Sequence, residues 1–176
     1  MKKYQFKTIL FEYFNEKITE KFPILSGKIY RENLLLRKPV HPFLTIKTLK
    51  TERAQKRFET YYKDNIRYIK SKYKTQVVFT IHSLLADKNS SEKFADDVMD
   101  FVEELFLLSL DAQIDLAHRG IVVDEFFDSE IVEENCPINS DREFVKNITL
   151  QFEFEDIKEI VADYGKDLEI KINPKD

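Results

Sequence analysis

The sequence predicts an α+β domain, a mainly antiparallel sheet of about four to five strands with two principal helices packed on one face. Three observations predict it. Apolar residues recur at helical spacing in two stretches, Phe6 to Ile18 and Phe94 to Leu108. Alternating or β-branched stretches surround Phe43 to Leu49, Val77 to Leu84 and Phe144 to Phe154. The order is helix, strands, helix, strands, which favours one helix layer on one face of the sheet. The whole of residues 1–176 reads as a single domain.

The elements follow in order. Phe6, Ile9, Leu10, Tyr13, Phe14 and Ile18 line one face of a helix over about residues 3–20, which ends before Pro23. Gly27 marks a turn, and Lys28 to Glu32 is a short strand. Pro39 and Pro42 bracket a rigid loop ahead of the strand Phe43 to Leu49. Residues near 50–75 are basic and carry Tyr61, Tyr62, Tyr68 and Tyr73, which reads as a long hairpin or protruding arm. Val77, Phe79 and Ile81 then alternate with Thr80 and His82 in a strand reaching about Leu84. Ser90 or Ser91 caps the second helix, whose apolar face is Phe94, Val98, Phe101, Val102, Leu105, Phe106 and Leu108. A shorter helix spans Asp111 to His118, Gly120 fits its C-cap, and Ile121-Val122-Val123 begins a strand. Residues 124–141 read as an exposed acidic loop, and Phe144 to Phe154 as the last long strand. Leu168 to Ile172 alternate, as an edge strand or tail near 157–176.

Composition excludes several function classes. One cysteine, Cys136, rules out an internal disulfide framework and a Cys-rich zinc site. The three glycines are far apart, which removes glycine-rich nucleotide loops; Ser26-Gly27-Lys28-Ile29 lacks the rest of a phosphate loop. No apolar run approaches the ~20 residues of a membrane span. The lysines at the N-terminus have no apolar stretch behind them, so a leader peptide is not expected. These features suggest a soluble protein of a reducing compartment. His41, His82 and His118 have no metal-ligand spacing and read as structural or solvent-facing. No cofactor or metal is expected. The best enzymatic alternative is a Mg-dependent, nuclease-like site. Asp156 with Glu169 would hold the ion and Lys171 would orient water. In a chain so rich in charge such triplets arise by chance, and Asp156-Ile157-Lys158 is another.

The net charge of −4 hides an asymmetry: residues 1–88 hold 20 basic and 8 acidic side chains, residues 89–176 hold 8 and 24. Such a split bears on partners rather than on fold. The basic candidates are Lys56, Arg57, Lys63, Arg67, Lys70, Lys72 and Lys74. The acidic counterpart is Asp124, Glu125, Asp128, Glu130, Glu133 and Glu134. The two sets are complementary in charge. The basic segment could bind nucleic acid through its phosphates or meet an acidic surface of another protein.

The order of these segments resembles the neck or tail terminator proteins of long-tailed phages and tail-like particles. The likeness rests on the amphipathic N-terminal helix and the short strand at Gly27-Lys28-Ile29-Tyr30. It includes the proline-flanked Arg37-Lys38-Pro39-Val40-His41-Pro42 leading into Phe43-Leu44-Thr45-Ile46, and the charged hairpin. The strand Gln76 to Ser83, the helix Ala95 to Leu108, the turn at Arg119-Gly120 and the strand Glu143 to Glu155 complete it. The basic segment and the acidic stretch 124–141 depart from the family pattern. What the resemblance implies is a structural virion protein with no reaction of its own. It would form a homo-oligomeric, hexameric ring that caps the tail tube and meets the head connector, with DNA passing through the centre. Its place would be the head–tail junction, assembled in the bacterial host cytoplasm, with no membrane contact.

Overall fold

The computed structural model describes residues 1–31, 39–54, 59–63, 66–84, 92–124, 131–134 and 143–160. The expected class is found: helices on one face of a largely antiparallel sheet. In chain order the elements are α1 (Lys3–Lys21), β1 (Ile29–Arg31), β2 (Phe43–Arg53), β3 (Glu59–Lys63), β4 (Ile66–Leu84), α2 (Glu92–Glu103), α3 (Leu110–His118), β5 (Ile121–Val123), β6 (Ile131–Glu134) and β7 (Glu143–Ile160). The described residues thus form seven strands where about four to five were expected. The path β1-β2-β4-β7-β5 carries β3 beside β4 and β6 beside β7. Among the described strands, β1 with β2 is the one parallel pair.

Two long strands organise everything else. β4 and β7 pair without interruption from Arg67↔Ile160 to Leu84↔Glu143. Side chains alternate between faces along a strand, so each half of this pair has a fixed face. Thr75, Val77, Phe79, Ile81 and Ser83 of β4 are buried on the helix side, as are Ile148, Leu150, Phe152 and Phe154 of β7. α1 lays Phe6, Leu10, Phe14 and Ile18 on this surface, and α2 adds Val98, Met99 and Val102. Phe6 stacks on Phe154 at 4.6 Å, and Phe79, Phe106 and Phe152 meet in one aromatic cluster. Burial of such side chains contributes roughly 1.5–3 kcal/mol each.

The second helical stretch is not continuous. α2 ends at Glu103 and a π-helical turn spans Glu104–Leu108, closed by Ser109 N–H donating to Glu104 C=O at 2.8 Å. Ser109 then caps α3 by accepting from the Ala112 N–H. Gln113 Nε2 donates to the carbonyls of Phe106 and Leu107 left over by the break. Apolar spacing runs straight through this join, so periodicity reads it as one helix. The break also turns the face: Val98, Val102, Leu105 and Phe106 are buried, while Phe94 and Phe101 are half-buried, edge-on to Phe22. Gly120 follows α3 at φ 78, the left-handed conformation expected of its C-cap position.

Two further corrections concern the acidic half. Residues 131–134, expected inside a loop, form β6 against Ile148 to Val145 of β7. β7 continues to Ile160, past the Phe154 end expected of the last long strand, and residues 161–176, where the strand or tail was expected, lie outside the described residues. Leu168 to Ile172, Ser90 and Ser91 lie outside the described residues.

Candidate assembly surface

Past the helix layer, β4 and β7 run on together. No residue of β4 before Thr75 is buried, and the described β7 side chains after Phe154 are all at least partly exposed. β3 joins them as a hairpin partner, from Lys63↔Ile66 to Glu59↔Lys70. The hairpin read from the sequence is therefore an arm of three strands, β3-β4-β7. Residues 66–74 alone carry it roughly 30 Å at ~3.3 Å per residue. All five β3 residues are exposed, with Tyr62 at 67%. Tyr61 stacks on Tyr68 across the hairpin at 5.2 Å. At the root, Tyr73 packs on Phe154 and lies under the Lys3 ammonium.

The arm is not a basic surface. β4 brings Arg67, Lys70, Lys72 and Lys74, and the facing β7 segment brings Glu153, Glu155, Asp156 and Glu159. Lys74 Nζ lies 2.9 Å from both Asp124 Oδ2 and Glu153 Oε1. Lys70 Nζ lies 2.7 Å from Glu155 Oε1, with Lys72 at 4.0 Å from the same oxygen. Hydrogen bonding to Glu155 raises the Lys70 pKa, and bonds to Asp124 and then Glu153 raise that of Lys74. One acidic residue expected to meet a neighbour, Asp124, thus meets a basic residue of its own chain. Gln151 Nε2 fixes the same Asp124 oxygen at 2.6 Å. Lys63 and Arg67 lie at the arm's far end, exposed. Lys56, Arg57, Glu125, Asp128 and Glu130 lie outside the described residues, and Glu133 and Glu134 are placed only by their backbone in β6.

Of the residues of the nuclease alternative, Asp156 alone falls among the described residues. Asp156 sits on the helix side of the arm, its Oδ1 3.7 Å from the Met1 amine. Glu169 and Lys171 lie outside the described residues, as does Cys136. Among the described residues no group of three or more His, Cys, Asp or Glu is arranged to hold a metal ion.

Sequence reasoning missed one polar cluster. On the sheet face away from the helices, Glu143 Oε1 accepts from His41 Nε2 at 2.9 Å and from His82 Nδ1 at 3.0 Å. Phe43 stacks on His82 at 4.3 Å. The parity of β4 does place His82 on that face, as expected. The three residues are 41, 82 and 143 in number, so only the registers of β2 on β4 and β4 on β7 bring them together. Each neutral imidazole has one N–H to give, and one carboxylate oxygen can accept both. The cluster pins the loop before β2 to the sheet.

Clefts flank the β7 edge of the arm. One of about 560 Å³ opens at the turn from α3 into β5, lined by Lys72, Arg119, Val122, Glu153, Glu155 and Ile157 among others. A second, of about 440 Å³, lies on the helix side against Lys2, Gln5, Asp156 and Lys158. No described helix is long and apolar enough to cross a membrane. Neither a family model nor any characterised protein matches this chain.

Proposed function

We propose that this protein is a structural assembly subunit of the kind its segment order resembles. It would be a ring-forming, non-enzymatic component of a phage neck or tail, at the head–tail junction. The three-stranded arm carries this reading. It stands beyond the core, buries none of its own β3, and presents Tyr62 and Ile157 to solvent at 67% and 46%. Exposed apolar and aromatic surface on a strand edge is unusual unless a partner covers it. The domain behind it is fully served without the arm, since the aromatic core closes at Phe154 and Thr75. Partners consistent with this reading are further copies of the chain, a tail tube protein and a connector. Its test is electron microscopy of the purified protein, alone and with tail tubes. The expected particle is a closed ring with a central opening, in solution or seated on a tube end. A chain that stays monomeric at high concentration and ignores tube ends would overturn the reading.

A further inference from the structure

The geometry points to a specific joint between copies: β3 of one subunit adds as a strand to the open edge of β7 in the next. This rests on the assembly reading above and names the surface that performs it.

The edge is defined by the backbone. The Gln151 carbonyl accepts from Asp124 N–H at 2.8 Å, and the Glu155 carbonyl accepts from the Met1 amine at 2.6 Å. Both bonds point away from β4. Along an antiparallel strand, alternate residues turn both N–H and C=O to the same side. The odd-numbered residues of β7 therefore face outward, and Ile157 and Glu159 continue the series. β5 covers this edge only at residues 152–154, because the chain turns away at Gly120, and Met1 takes the next carbonyl. Beyond that point no described strand lies on the edge of β7.

Strand addition needs a free backbone edge and room for side chains alternating to either face. Both are present. The outer-face cleft at Lys72, Glu155 and Ile157 and the helix-side cleft at Lys2, Asp156 and Lys158 lie on opposite sides of the same edge.

The donor is β3 of a second copy. It is the opposite edge of the same arm, five residues long, matching the five residues 156–160. Its sequence Glu59-Thr60-Tyr61-Tyr62-Lys63 has no proline or glycine, and it suits an extended strand. The closing pair Lys63↔Ile66 sets its alternation, so Thr60 and Tyr62 turn their backbone groups outward. With sheet faces kept in common, Tyr62 would enter the helix-side cleft between the Lys2 and Lys158 ammonium groups. β3 would then run parallel to β7, and Glu59 would enter the outer cleft, which offers Arg119 and Lys72. Each subunit donates one edge and accepts on the other. Such a contact is heterologous and closes into a ring or runs on as a filament.

Two proline variants test it. Ile157→Pro removes an outward N–H of the acceptor edge, and Tyr62→Pro removes one of the donor edge. Neither N–H bonds to β4, and edge positions of this kind tolerate proline. Circular dichroism and the thermal midpoint check that each folds; Ile157→Lys and Tyr62→Asp replace a variant that does not. Native mass spectrometry of the full chain then reads the assembly. Wild type is expected as a ring and each variant as a monomer. An equimolar mixture should recover a one-to-one heterodimer and nothing larger, because each variant keeps the edge the other has lost. Variants that assemble like wild type, or a mixture that stays monomeric, would overturn the joint while leaving the assembly reading intact. A monomeric wild type, with or without tail tubes, would overturn both.

Discussion

Single residues already separate structural from accessory roles. Among the described residues the buried Tyr13 hydroxyl has no hydrogen-bond partner, and its ring is bracketed by Lys17 and Arg119. A buried unpaired hydroxyl costs about 1–3 kcal/mol of desolvation. Tyr13→Phe keeps the ring and removes the orphan, so it should leave stability unchanged or raise it by about 1 kcal/mol in denaturant unfolding. Burial, then Asp115, push the Tyr13 pKa above its ordinary value of 10.0. The fold prefers the neutral phenol more than the unfolded chain does. Stability from this group is complete below pH 10.0 and drains as pH climbs toward the raised value. Unfolding midpoints measured from pH 8 upward should fall more steeply for wild type than for Tyr13→Phe. A steeper fall for the variant would contradict this account. The Glu143 carboxylate works the other way, joining two imidazoles that the sequence keeps far apart.

At the level of elements, the core helix face is the clearest case. Phe106 is fully buried and touches Phe14, Phe79 and Phe152, whereas Phe101 is half-buried at the rim. Phe106→Ala should cost about 3–5 kcal/mol. Phe101→Ala should cost distinctly less, and denaturant titration of the pair reads the difference. Removing the Ser109 hydroxyl should cost about 0.5–2 kcal/mol, the usual value of an N-cap. Where the sequence was legible, one strong local signal decided the element. Ile9 to Ile18 gave α1 by its period, Gly120 gave the end of α3, and Val77 to Ile81 gave the heart of β4. The illegible parts depend on partners distant in the chain. Ile66 to Lys74 reads as part of a basic hairpin until Glu153 to Glu159 is laid beside it. β6 has only four residues and is fixed by pairing with β7 alone. The π-helical turn keeps the apolar spacing and so hides the break. The site was half legible: the arm was visible as a basic, tyrosine-bearing hairpin, but its third strand and its internal charge pairing were not.

For the whole molecule, the strong charge split becomes a statement about one chain rather than about two. Lys70, Lys72 and Lys74 meet Glu155, Glu153 and Asp124 across neighbouring strands of the same sheet. The basic and acidic halves of the sequence are drawn together in the arm. Each such pair is partly exposed, so solvent screens it and none of them alone holds the arm. If assembly depends on strand addition at the arm's edges, it depends chiefly on backbone hydrogen bonds and on Tyr62. Raising salt to ~1 M, where the screening length is ~3 Å, should then leave assembled particles largely intact in sedimentation. Dissociation at that salt would return the arm to the role of an electrostatic contact. The most direct measurement is amide hydrogen exchange on dispersed and assembled protein, compared segment by segment. The account predicts that assembly slows exchange at Thr60 and Tyr62 in β3 and at Ile157 and Glu159 in β7, with the amides of β4 unchanged. Assembly that leaves both edges exchanging as in the monomer, and slows another surface instead, would contradict it.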